Sequence, residues 1–316
     1  MKITVLAGGV GGSRFALGVR RYLETRDGDL TVVVNTGDDM WMAGLRITPD
    51  LDSLLYALAG VADTERGWGR AGETERVSAE LAAFGVGWPW FTLGDLDLGT
   101  HIGRTAMLRD GMPLSAVVQR LSQRWALGAR LLPATDDEVE THVHLADGRD
   151  LHFEEWWTRL RAADPAVRFE QRGVAASTPA PGVLEAIASA DLVLLAPSNP
   201  VVSIGTILGI PGIREAVRTT SAPVIGVSPV IGGAVLRGMA DACLAAIDVA
   251  TAADAIAIHY GARPDGVLDG WLVDEADAAL VPGIEAAGIR ARAVPLYMTD
   301  PDATARMVEA AVALSR

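Results

Sequence analysis

Short apolar runs alternate along this chain with segments of helical period, and that alternation constrains its fold more than any other feature. The runs fall at residues 2–7, 30–35, 192–196, 224–228, 266–273 and 289–294. Each has the length of a buried strand, and helix-period segments separate them, which is the pattern of a parallel sheet with crossover helices. The expected class is therefore α/β, with a Rossmann-like, mostly parallel sheet. Half of the 316 residues are apolar, so the chain can bury a large core as one large or two intimately joined domains.

Between the second and third runs the texture changes. Residues 60–185 hold six of the eight Trp and four of the five His, with helical pieces expected at 73–84, 114–125 and 153–162 and a hairpin at 130–145. A stretch this long is better read as a subdomain than as a loop. The expected organisation is a nucleotide-binding core from 1–60 and 186–316, with 61–185 as an inserted, mainly helical cap.

Charge and cysteine content narrow the function. Acidic residues outnumber basic ones by 40 to 27, and no basic stripe interrupts them, which argues against nucleic acid or an anionic membrane as partner. The single Cys243 excludes an intramolecular disulfide and a cysteine metal cluster, and its alanine-rich helical context at 240–246 marks it as a small core residue. No signal peptide precedes the first strand, and no apolar run approaches the ~18 residues of a membrane span. The expected location is cytoplasmic.

The first strand runs into Gly8-Gly9-Val10-Gly11-Gly12-Ser13, with a helix expected to open near Ser13. A loop with so little side chain lets a phosphate approach the backbone, and free N–H groups at a helix start attract it. The alternative is a tight strand-to-helix turn. The spacing is not G-x-G-x-x-G, and no Gly-Lys-Ser/Thr ending follows, so neither dinucleotide nor P-loop mechanics carries over.

Three further polar loops leave strands at the same edge: 35–39, 197–200 and 228–229. Ligands of open parallel sheets bind at that edge, so the four loops together point to one composite crevice. The second brings Asp38 and Asp39 after Asn35, and Asp50 and Asp52 follow at the start of a helix expected over 54–59. Each aspartate could merely close a turn or cap that helix. Four carboxylates beside a phosphate cradle would repel the ligand, however, unless a divalent cation stood between, and oxygen ligands point to Mg²⁺. The third loop offers Ser198, Asn199 and Ser203 as a second phosphate or ribose contact; the alternative is a proline-stiffened turn. In the cap, residues 94–105 bring Thr100, His101 and Arg104 close in sequence. Arg104 could reach a diphosphate and His101 could donate to it. His142 and His144 read as surface residues, and Trp88, Trp90, Trp156 and Trp157 as packing, with one aromatic available to stack on a flat heterocycle.

Five motifs in order, Gly8-Gly9-Val10-Gly11-Gly12, Asn35-Thr36-Gly37-Asp38-Asp39, Pro49-Asp50-Leu51-Asp52, Gly94-Asp95-x-Asp97-Leu98-x-Thr100-His101 and Pro197-Ser198-Asn199-Pro200-x-x-Ser203-Ile204-Gly205, resemble the 2-phospho-L-lactate transferase family of coenzyme F-420 biosynthesis. The segments 239–243 and 296–300 resemble its actinobacterial branch, which uses a phosphoenolpyruvyl donor. The resemblance implies a Mg²⁺-dependent transfer of a phosphoenolpyruvyl or 2-phospholactyl group from a guanosine diphosphate-linked donor to the ribityl hydroxyl of 8-hydroxy-5-deazariboflavin (Fo), releasing GMP, by a homodimer. It assigns Gly8, Gly9, Gly11, Gly12, Ser13, Asn35, Thr100, His101, Arg104, Ser198, Asn199 and Ser203 to the substrates, Asp38, Asp39 and Asp50 to the metal, and Asp52 with Asp50 to catalysis at the deazaflavin hydroxyl. Family members commonly carry a basic residue where this chain has Leu96; either Arg104 replaces that contact or the donor sits differently. The competing reading is a non-catalytic nucleotide-sugar-binding regulator with a similar glycine-rich start. An NAD-dependent dehydrogenase fits poorly, because the second strand ends in Asn35-Thr36 rather than a ribose-binding acid.

Overall fold

The computed structural model describes residues 1–87 and 89–316, so Trp88 lies outside the described residues. β1 (Lys2–Ala7) feeds α1 (Gly9–Leu23) and β2 (Asp29–Val34), after which the small hairpin of β3 (Met40–Met42) and β4 (Leu45–Ile47) leads into α2 (Pro49–Ala59). Three helices follow, α3 (Arg76–Ala83), α4 (Asp95–Arg109) and α5 (Leu114–Ser122), and then β5 (Arg130–Pro133). β6 (Glu140–Leu145), β7 (Asp150–His152) and β8 (Ala166–Arg172) form a separate antiparallel sheet. The chain then returns through β9 (Leu192–Leu195) and β10 (Val224–Val227), the hairpin of β11 (Val230–Ile231) and β12 (Ala234–Val235), β13 (Gly270–Val273), β14 (Arg290–Ala293) and a closing helix, Pro301–Leu314.

The central sheet has seven parallel strands in the order β14-β13-β10-β9-β1-β2-β5. From β1 the chain moves first to β2 and β5, then crosses to β9 on the other side, so the strand order reverses between β1 and β9. Crevices open at such a point. Ile3 to Ala7 and Leu192 to Leu195 are buried throughout, as central strands covered on both faces must be. Apolar residues of α1, α2 and Pro301–Leu314 fill one face, and those of the 183–217 helices, with Trp156 and Trp271, fill the other.

Two local expectations fail and a third is shortened. The 130–145 hairpin does not form: β5 joins the central sheet beside β2, with Leu131 opposite Val32, while β6 pairs with β7 and β8. Adjacent Leu131 and Leu132 both bury, which suits a parallel strand covered on two faces and not an alternating hairpin arm. The 61–185 stretch thus lends the central sheet its edge. Second, α1 opens at Gly9, so most of the glycine-rich segment is helix and not loop. Third, the helix expected over 153–162 forms over 153–159 and ends three residues early, with Glu155–Arg159 in π-helical geometry. Among the described residues no helix is long and apolar enough to cross a membrane, and Cys243 is a buried free thiol.

Candidate active site

The four polar loops converge. Gly8–Gly11, Asp38, Pro197–Asn199 and Ser228–Pro229 line one cleft of about 960 Å³ at the carboxyl edge of the sheet, within the size range of small-molecule sites. The 61–185 stretch supplies its far wall through Trp68, Phe91, His101, Glu154 and Trp157.

At the start of α1 the amides are partly spent. Ser198 Oγ accepts from Gly8 N at 3.0 Å and donates to Gly8 O at 2.7 Å, tying the β1 and β9 loops together. The Asp50 carboxylate lies against the Gly9 backbone, which opposes the rise of its pKa. That leaves the Val10 and Gly11 amides of the first turn, which have no carbonyl one turn back, on the cleft wall. The glycines are needed as much for chain packing as for ligand approach. A Cβ on Gly8 would run into Asp50 Oδ2 and Ser203, and one on Gly11 would lie 2.7 Å from Pro197 O. That carbonyl is backbone and cannot rotate away, so Gly11→Val forces α1 and the β9 loop apart. Overpacking of this kind costs about 1–3 kcal/mol. The expected result is a lowered melting temperature even without ligand, read by calorimetry; wild-type melting would show that the loop can give.

α2 places the acids. Thr48 precedes it and Pro49 fixes its first turn, which puts Asp50 and Asp52 near the positive end of the helix; neither side chain caps it. Asn35 Nδ2 donates to Asp50 Oδ2 at 2.9 Å while Asn35 Oδ1 accepts from Gly37 N at 3.0 Å, so Asn35 orients Asp50 from behind and does not line the cleft. Asp38, Asp50 and Glu154 all face the cleft while nearly buried. Burial pushes the Asp50 carboxyl up to about 6. Burial, reinforced by the Asp50 charge, takes Glu154 to about 7. Asp38 rises well above the carboxylate range through burial and the charges of Asp50, Glu154 and Asp39, and its Oδ1 has no hydrogen-bond partner. Asp39 turns away: fully buried, it faces Arg46 at 3.7 Å instead of the cleft, so the expected grouping of Asp38, Asp39 and Asp50 is replaced by Asp38, Asp50 and Glu154.

Asp52 sits in a different setting. Its Oδ1 is gripped by Arg104 Nη2, and Oδ2 accepts from Thr48 Oγ1 at 3.3 Å. Arg104, only 1% exposed, also donates through Nη1 to His101 Nδ1 at 2.9 Å and to Arg46 O at 3.2 Å. Because arginine only donates, His101 Nδ1 must be the acceptor, which leaves Nε2–H to face Asp97 Oδ1 at 3.3 Å. Tyr56 OH donates to the same oxygen at 2.6 Å. Asp52, Asp97 and His101 could in principle ligate a metal, but the Arg104 guanidinium already occupies the Asp52 and His101 acceptors. Burial raises the Asp52 carboxyl above its usual range despite the opposing Arg104 charge. The result is a carboxylate on the cleft wall with a raised pKa, its Oδ1 held by Arg104 and its Oδ2 carrying the longer contact to Thr48.

Several expected ligand contacts are thereby displaced. Arg104 is spent on Asp52 and cannot replace the basic residue missing at Leu96, whose own side chain is exposed. Thr100 and Gly12 are buried off the cleft, and Ser13 Oγ donates back to Val10 O at 2.9 Å. Asn199 lines the cleft, but its oxygen accepts from Val201 N at 2.9 Å and its amide approaches Cys243 Sγ at 3.3 Å. His142 and His144 are half-buried and paired across the small sheet with Asp150 and Glu170, each at 2.7 Å. Trp156 is core, whereas Trp157 lines the cleft and lies near-parallel to Phe153, 11° off with centroids 6.5 Å apart. Glu154 and the cleft arginines Arg14 and Arg237 were not among the expected site residues, whereas Trp157 is the aromatic of the expected set that reaches the cleft; the acid pair Glu154-Glu155 before Trp156-Trp157 was the available signal for Glu154.

The family described as 2-phospho-L-lactate transferase CofD matches residues 3–294. Proteins named phosphoenolpyruvate transferase from Mycobacterium sp. (strain JLS) and Streptomyces griseus are 55% and 54% identical, covering all of this chain and 99% and 98% of theirs. A crystal structure of a UPF0052 family protein from Bacillus halodurans shares the fold at a TM-score of 0.62 and 19% identity, over 98% of both chains.

Proposed function

Since the chain belongs to the 2-phospho-L-lactate transferase CofD family, we propose that it moves a phosphoenolpyruvyl or 2-phospholactyl group from a guanosine diphosphate-linked donor to the terminal ribityl hydroxyl of Fo, releasing GMP, in coenzyme F-420 biosynthesis. The names of its relatives favour the phosphoenolpyruvyl donor. The observation that carries the chemistry is the division of labour among buried carboxylates: among the described residues Asp38, Asp50 and Glu154 crowd together with no cationic partner in contact, whereas Asp52 is clamped by Arg104.

Crowded, desolvated carboxylates with an unpartnered oxygen on Asp38 fit a hard divalent cation. Asp38 and Asp50 would hold Mg²⁺, with Glu154 beside them. When bound, the cation neutralises charge on the diphosphate. The Val10 and Gly11 amides then face the phosphoryl oxygens from the positive end of α1. Asp52 takes the proton of the ribityl hydroxyl as its oxygen attacks the phosphorus that bears the transferred acid. The new O–P bond forms as the bond to the GMP oxygen breaks. Phe91 and Trp157 offer aromatic surface on the cleft wall for a flat deazaflavin ring.

Binding tests this reading without turnover. Fo and GDP with Mg²⁺ are each expected to raise the melting temperature, and a UDP-sugar is not. Stabilisation by the UDP-sugar alone would favour the regulator.

A further inference from the structure

The donor required by this reading carries several negative charges into a protein of net charge −13, and the cleft floor is itself acidic. Its cations are therefore informative. The chain has one lysine, Lys2, which opens β1 at the opposite end of the sheet. Among the described residues the cleft is lined by three arginines: Arg14, Arg66 and Arg237. Arg66 is committed, paired with Glu75 and stacked 4.0 Å over the Trp68 ring. Arg104 is committed to Asp52, as described above. Among the described residues, the exposed side chains of Arg14 and Arg237 have neither an ion pair nor a hydrogen bond from their guanidinium groups.

These two come from remote parts of the chain and line the same cleft, near enough for the charge of one to act on the other. Arg14 projects from α1 on the wall that carries Val10 and Gly11; Arg237 follows β12, with its guanidinium beside Gly67. Bringing like charges together without a counter-ion is unfavourable, and burial together with the Arg237 charge lowers the Arg14 pKa below its ordinary value. An oxyanion held between them would remove that repulsion, and planar guanidinium groups suit carboxylate and phosphoryl oxygens.

We propose that Arg14 and Arg237 form a clamp for an oxyanion of the donor, either the carboxylate of the transferred acid or its phosphoryl oxygens. The proposal rests on the functional reading above for the identity of the donor. It gives this chain the cationic contact that Leu96 lacks and that Arg104 cannot supply.

Calorimetric titration of the wild type, Arg14→Gln, Arg237→Gln and the double variant tests it. The probes are GDP and the guanosine diphosphate-linked phosphoenolpyruvyl donor, both with Mg²⁺, and Fo. Each single variant is expected to weaken donor binding roughly 10- to 100-fold, the range of a lost charge-assisted contact, with Fo affinity unchanged. Arg237→Lys should recover part of the loss. Unchanged GDP affinity assigns the clamp to the carboxylate, and an equal loss for GDP assigns it to the phosphoryl oxygens. Donor affinity within twofold of wild type in the double variant overturns the clamp, as does an equal loss for Fo. If the wild type binds neither GDP nor the donor, the functional reading itself fails.

Discussion

Asp52→Ala is expected to cut transfer by roughly 10²- to 10⁴-fold, the contribution of a positioned general base. The same change leaves the Arg104 guanidinium buried without its carboxylate, and breaking one side of a buried pair costs about 3–5 kcal/mol. Both effects should therefore appear together: a lower melting temperature and slower chemistry. Asp52→Asn separates them, because its amide oxygen can still accept from Arg104 while its basicity is gone. Single-turnover rates and melting curves on the same samples decide the matter. A destabilised Asp52→Ala that reacts at nearly the wild-type rate would reduce Asp52 to a counter-ion for Arg104.

Removal of divalent cations is the second large effect. With excess EDTA, transfer should fall to background, since the diphosphate would otherwise have to approach Asp38, Asp50 and Glu154 against their charge. Stability carries the same signature. The folded-state pKa values of Asp50 and Glu154, about 6 and about 7, lie above their ordinary values of 3.8 and 4.5. The folded protein then binds more protons than the unfolded chain between those limits, so the metal-free protein should lose stability as pH rises from about 4 to about 7. Mg²⁺ should flatten that slope, and Glu154→Gln should make the metal-free protein more stable at pH 8. Melting curves from pH 4.5 to 8, with and without Mg²⁺, check it; a metal-free protein that gains stability toward pH 8 would contradict the carboxylate arrangement.

Much of the fold was legible because its strands are buried on both faces. Residues 3–7 read as an apolar run broken only by Thr4, and the strand occupies residues 2–7. Residues 192–196 and 224–228 were placed to within one residue for the same reason. β5 was missed because four residues beside a longer polar strand look like one arm of a hairpin, and only its long-range pairing with β2 reveals otherwise. Local propensity also misled at Gly9. Glycine is a poor helix former, but Ser198 satisfies the Gly8 backbone and the Asp50 carboxylate lies against that end, so the helix starts at its first glycine.

The site was legible as chemistry and less so as geometry. Asp38, Asp50 and Asp52 stood next to strand ends and were found. Glu154 reaches them from the far wall of the cleft, and no local pattern announces that meeting. Arg104 was expected to serve the ligand because an arginine in a polar stretch is usually free. Its burial behind Asp52 follows from α4 packing against β4 and from the side-chain hydrogen bonds that join α4 to Asp52 and Tyr56 of α2, a tertiary fact that one helix's sequence does not contain.

The central claim is tested most directly by incubating the protein with Fo, Mg²⁺ and the guanosine diphosphate-linked phosphoenolpyruvyl donor, followed by mass spectrometry. A product with the mass of Fo plus the phosphoenolpyruvyl group, formed in equal amount with GMP and absent when Fo or Mg²⁺ is omitted, is the predicted result. Unmodified Fo in the presence of a folded protein that binds both substrates would contradict it.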